Sequence, residues 1–122
     1  MIRAEEREIH EQGMKWGELF VIIISMYTAT MLYHFTEESF DTACEKWKNE
    51  IMEHARVQPG FVRMQFLAAR PRAMAIGTWE DNSHARKFME TGVFKRLMSQ
   101  LEGLVVGKPE QAVWDLKYFA QK

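Results

Sequence analysis

From Tyr27 to Phe35 the side chains alternate. Tyr27, Ala29, Met31, Tyr33 and Phe35 fall on one side, and Thr28, Thr30, Leu32 and His34 on the other. Both sides are partly apolar, which predicts a strand covered on both faces. The β-branched run Val21–Ile24 carries the β-rich segment back to Phe20, as part of the strand or as a lead-in to it. Thr36 then offers a cap, and Glu37 and Glu38 suit the positive end of a helix. Phe40, Ala43, Cys44, Trp47, Ile51 and Ala55 form one apolar stripe at helical spacing, closed by Pro59-Gly60.

A second alternation sets Val62, Met64, Phe66 and Ala68 against Phe61, Arg63, Gln65 and Leu67. Arg70–Arg72 reads as a hairpin loop, and Ala73–Trp79 as the next strand. Helices are expected over Ser83–Glu90 and Val93–Leu101, then a loop over Gly103–Gln111 and a last strand over Val113–Phe119. The segment Ala75–Met98 organises the rest: a strand ending on Trp79, a polar turn, a helix, a Thr91-Gly92 break and a second helix.

The order after residue 20 is β-α-β-β-α-β, a ferredoxin-like α+β fold with a four-stranded antiparallel sheet. Two helical layers can cover only one face of such a sheet. Its other face carries many apolar residues, and pairing two of them in a symmetric homodimer removes the exposed patch. Residues 1–19 are mostly charged and read as an appended, helical N-terminal extension; residues 20–122 form the domain.

The totals narrow the field further. At 122 residues the chain is one domain, and 47% apolar with 27% charged residues are globular values. With 16 basic and 17 acidic residues the net charge is −1, which gives no field for nucleic acid. The run Leu19–Leu32 is shorter than the roughly 20 apolar residues of a membrane span. A lone Cys44 excludes an internal disulfide and fits a cytoplasmic protein. The four His are scattered, with no metal-ligand spacing, so no metal is expected. Phosphate loops, serine-nucleophile elbows, metalloprotease helices and calcium loops are absent from the sequence.

From Met26 onward, about four-fifths of the chain resembles the antibiotic biosynthesis monooxygenase-like superfamily of dimeric α/β barrels. The resemblance rests on Pro59-Gly60-Phe61, on Thr78-Trp79-Glu80, on His84, and on Thr91-Gly92-Val93-Phe94-Lys95. It implies a small-molecule site, with oxidation of a phenolic or quinol compound without a bound cofactor as its sharpest form. Two alternatives stand beside it: a non-enzymatic dimeric binding or interaction module, and an atypical heme-binding protein. The heme-degrading branch places a Trp, an axial His and an Asn where this chain has Phe88, Met98 and, in a looser register, Met31. Those departures weigh against heme.

The resemblance makes His84 the candidate proton acceptor, since imidazole titrates near neutrality. Its plainer role is a residue near a helix start. Met31, Tyr33, Trp79, Phe88, Phe94 and Met98 are the candidate walls for a small apolar or aromatic ligand; each also makes sense as core. His34, Arg63, Gln65 and Asp115 are further polar groups on strands.

Overall fold

A computed structural model describes the backbone at residues 8–9 and 14–15 and the chain from 26 to 122. Strand β1 (Glu8–Ile9) pairs antiparallel with β2 (Met14–Lys15). The expected N-terminal helix is therefore replaced by extended backbone at these four positions. The remainder of that expectation, and the β-rich lead-in over 20–25, lie outside the described residues.

The main sheet contains β3 (Tyr27–His34), β4 (Phe61–Ala69), β5 (Arg72–Trp79) and β6 (Glu110–Asp115), in the order β4-β5-β3-β6. All its pairings are antiparallel. With the helices between β3 and β4 and between β5 and β6, this is the ferredoxin-like βαββαβ arrangement.

Helix α1 (Phe40–Trp47) runs through a π turn at Lys48–Met52 into Glu53–Ala55. The cause is visible in its stripe. Ala43, Trp47, Ile51 and Ala55 are all buried and all four residues apart. On an ideal helix each such step drifts by about 40°. A wider turn absorbs the drift and keeps Ile51 and Ala55 facing the sheet.

Helices α2 (Asn82–Met89) and α3 (Val93–Gln100) bury Ala85 and Phe88, and Val93 and Leu97. Gly92, at φ 88°, makes the break between them. The helix-facing side of the sheet supplies Tyr33, Ala73, Ala75 and Trp79 to the core.

Two sequence expectations shift. Phe61 does not share a face with Arg63. A bulge between Phe61 and Arg63 adds Val62 as an unpaired residue, so Phe61 pairs with Trp79 and its ring meets the Trp79 ring edge-on at 5.7 Å. The last strand spans Glu110–Asp115, not Val113–Phe119. Its only neighbour among the described residues is β3, and Tyr27 opposite Asp115 is the last pair of that ladder. Beyond it the chain leaves the sheet, and the Phe119 ring lies 4.9 Å from the Arg63 guanidinium carbon.

The helical layer is tied together by Glu50 in the π turn. Arg96 Nε donates to its carboxylate at 3.1 Å and Gln100 Nε2 at 2.7 Å, both from α3. Burial pushes the Glu50 pKa up, but the hydrogen bonds from Arg96 and Gln100 and the charges of Arg96 and His54 outweigh it, so the carboxyl sits below its usual range. A depressed folded-state pKa gives stability that is present above the unfolded value of about 4.3 and is lost as pH falls through the folded value. Glu50→Gln should therefore destabilise the protein at pH 7 and flatten its loss of stability below pH 4.5. Urea midpoints at pH 7 and pH 4 check this; parallel losses in both proteins would refute it.

Candidate functional site

The helical layer and the sheet enclose a cavity of about 50 Å³. Its floor is Ala29, Met31, Met64, Ala75 and Gly77 on three strands; its roof includes Trp47 and Ile51 on the first helix and Phe88 and Phe94 on the next two. The floor is roomy because small residues repeat along β5: Ala73, Ala75 and Gly77 occupy successive helix-facing positions. A Cβ on Gly77 would meet the Met64 methyl at 3.0 Å, so the thioether occupies the space that the missing side chain leaves.

Aromatic rings line one wall. Trp79 lies 5.2 Å from Phe88, and Phe88 meets Phe94 edge-on at 5.8 Å. Met89 and Gln111 are exposed and also line the cavity, which puts its rim at the β6 side of the sheet. A ring-sized cavity is about 150 Å³. A benzene-sized ligand would thus need Met31, Met64 or Met89 to move, as flexible thioether chains readily do.

The polar groups of the cavity are few. Thr30 turns its side chain to the opposite sheet face, where its hydroxyl accepts from Trp114 Nε1 at 2.9 Å. Tyr33 and Trp47 are each 1% exposed. Burial drives the Tyr33 pKa far above its usual value, and the neighbouring Trp47 indole pulls it part of the way back. Tyr33 therefore stays a neutral phenol. The Tyr33 oxygen is the nearby acceptor for the buried Trp47 Nε1, although the contact falls short of full hydrogen-bond geometry.

Of the expected wall residues, Met31, Tyr33, Trp79, Phe88 and Phe94 surround this one cavity. Met98 does not line it and is 37% exposed on α3. His84 does not line it either. Asp81 caps α2 by accepting from the His84 backbone N–H at 2.9 Å, and its carboxylate also meets His84 Nδ1 at 2.8 Å. Those two contacts, the backbone bond first, hold the Asp81 pKa below its usual range. The other side of the imidazole packs against Gly60. His84 is thus placed as the partner of a helix cap, and its imidazole is not part of the cavity wall.

Heme does not fit this arrangement. The cavity is far smaller than the several hundred Å³ of a cofactor site. Neither Met98 nor His84 faces it, and no His or Cys is in its lining. Among the described residues no group of three or more His, Cys, Asp or Glu is placed to hold a metal ion. No helix among them is long and apolar enough to cross a membrane.

Sequence reasoning missed Trp47, Ile51 and Met64 as cavity residues. Trp47 and Ile51 sit on the α1 stripe, which the pattern marks simply as core. The signal was indirect: a Trp brings an N–H that a packed core must satisfy.

No protein-family model and no curated protein matches the sequence. Solved structures do match. SnoaB from Streptomyces nogalater, described as a cofactor-independent oxygenase, superposes with a TM-score of 0.62 at 18% identity, over 80% of this chain and 99% of that one. An antibiotic biosynthesis monooxygenase matches at TM-score 0.63 and 13% identity, over 73% of this chain and 96% of that one. A conserved protein from Methanosarcina mazei Go1 matches at TM-score 0.70 and 11% identity, over 79% of this chain and 97% of that one. With its four-stranded antiparallel sheet and covering helices, the chain shares its ferredoxin-like fold with these solved structures.

Proposed function

We propose that the protein binds a small phenolic or quinol compound in the cavity between sheet and helices. The observation that carries this reading is an aromatic-walled, flexible cavity whose polar side-chain groups are few: the Tyr33 hydroxyl, the indoles of Trp47 and Trp79 and the rim residue Gln111, apart from Thr30, which turns outward. Apolar walls with a few placed polar groups are what a small-molecule site requires. Ala29→Leu, which narrows the floor, tests it. Calorimetric titration with phenols and quinols should show binding by the unaltered protein and at least a tenfold loss in the variant, with little change in melting temperature. Equal binding by both would place the ligand elsewhere.

Cofactor-independent oxidation is the second reading, and the likeness to the SnoaB structure favours it. No carboxylate or imidazole lines the cavity. The environment that raises the Tyr33 pKa would raise that of a bound phenol as well. A substrate oxidised here must therefore be intrinsically acidic, such as a quinol conjugated to a carbonyl. Oxygen consumption with such quinols should rise with pH through the substrate's own ionisation and survive His84→Ala. A rate that His84→Ala abolishes would return the imidazole to the mechanism.

We also propose that a second copy of the chain covers the open sheet face. There Leu67 and Trp114 are 51% and 57% exposed, beside half-buried Leu32, Met74 and Ile76. Ile76 sits centrally, between Thr30 and Gln65. Ile76→Glu should convert a dimer to a monomer in sedimentation, and a monomeric unaltered protein would refute the pairing.

A further inference from the structure

Gly77 stands inside β5, paired with Ala29 of β3 on one side and Met64 of β4 on the other. It is not one of the glycines at positive φ, so its backbone does not demand a residue without a Cβ. A glycine inside a strand weakens the strand, and it often marks the close approach of another group. Two groups approach here. A Cβ at 77 would lie 3.0 Å from Met64 Cε and 3.5 Å from Trp79 Nε1. The second distance is ordinary van der Waals contact, and the first is too short. The Met64 methyl therefore rests over the bare Gly77 backbone, along the cavity floor.

That posture matters because the cavity is tight. Its volume is about 50 Å³, against roughly 150 Å³ for a site that holds a benzene ring. A side chain must give way for a ring to enter. Met89 is at the rim and 38% exposed, so its thioether has solvent to move into. Met64 differs. Its methyl already lies over a residue with no side chain, so it can rise into the cavity but has no lower position to take.

We infer that Gly77 sets the size of the ligand, acting through Met64: the glycine lets the thioether lie flat, and the flat thioether leaves room for one aromatic ring and stops a second, fused ring. This rests on the reading of the cavity as a ligand site and adds the size class, single-ring phenols or quinols. Gly77→Ala would lift the methyl by a few tenths of an ångström, toward the helices, and take away room the single ring uses. Met64→Ala leaves no methyl to lift and opens the floor to a bicyclic ligand.

A double-mutant cycle tests the inference, with phenol and 1-naphthol as the probes in calorimetric titrations. The unaltered protein should bind phenol at least about tenfold more tightly than 1-naphthol. Met64→Ala should tighten 1-naphthol by about tenfold or more. Gly77→Ala should weaken phenol by at least about fivefold when Met64 is present, and by less than about twofold in the Met64→Ala background.

Equal losses from Gly77→Ala in both backgrounds would show that position 77 acts on the ligand directly, and would overturn the role of Met64 while the cavity remains a ligand site. Equal binding of phenol and 1-naphthol by the unaltered protein overturns the size limit. If it binds neither probe, the ligand-site reading falls and the inference falls with it. Should a variant fail to fold, the unaltered protein labelled with ¹³C at its methionine methyls reads the same contact. Bound phenol should shift the Met64 methyl resonance by its ring current, and an unmoved resonance beside bound phenol overturns the inference.

Discussion

Replacing Trp79 with alanine should cost the fold about 3–5 kcal/mol, the range for truncating a buried Trp. Trp79 is 3% exposed and is the last residue of β5. It joins three elements, two through its ring and one through its backbone. Phe61 of β4 packs edge-on against one side, Phe88 of α2 lies over it at 5.2 Å, and its strand pairs with β3 at Tyr27. Truncation would remove the contact that joins both ladders to the second helical unit, and would enlarge the cavity that Trp79 helps to line. The loss is comparable to much of the 5–15 kcal/mol that stabilises an ordinary domain. A urea titration should show an earlier midpoint with a similar slope. A change below about 1 kcal/mol would mean that the surrounding rings collapse into the space and that Trp79 is not the joint described.

The second large effect is expected at Gly60. Gly60→Ala should cost about 2–3 kcal/mol, from two separate causes. The residue sits at φ +82°, where an L side chain costs roughly 1–2 kcal/mol. A Cβ there would also fall 2.2 Å from Cγ of His84. The imidazole could yield only by moving off Asp81, which disturbs a helix cap worth about 1 kcal/mol. Gly103 separates the causes, since it has the same φ with nothing within 4 Å of an added Cβ. Gly103→Ala should lose only the conformational part. Equal losses at the two positions, measured by thermal unfolding, would show that the His84 contact has no weight. Gly60→Ala/His84→Ala removes only the ring contact, because the Cβ at 84 would still lie 2.5 Å from the new one, and should recover little of the deficit.

The contrast between these two sites bears on how His84 is understood. Its place after Trp79 makes it a candidate base in the sequence. In three dimensions its backbone and ring serve Asp81, and its other side rests on Gly60. The Pro59-Gly60 turn and His84 are thus one structural joint, between the start of β4 and the start of α2. Sequence alone places them 24 residues apart, with no periodicity to connect them.

The chain's own pattern determined the larger frame. Alternation over Tyr27–Phe35 and Ala73–Trp79, the stripe from Phe40 to Ala55 and the break at Gly92 are local signals, because pleat and helix periods act within a single element. They suffice for the βαββαβ order and for the residues that turn inward. The tertiary structure decided what depends on partners. A bulge at Val62 moved Phe61 to the helix side, because the register with β5 demanded an extra residue there. β6 stopped at Asp115 because its neighbouring ladder does. Only packing showed which inward residues enclose space and which fill it: Met31, Tyr33, Trp79, Phe88 and Phe94 converge on a cavity, Met98 and His84 do not, and Trp47 joins it from the first helix. A cavity is a property of several elements meeting, so no single stretch of sequence carries its signature.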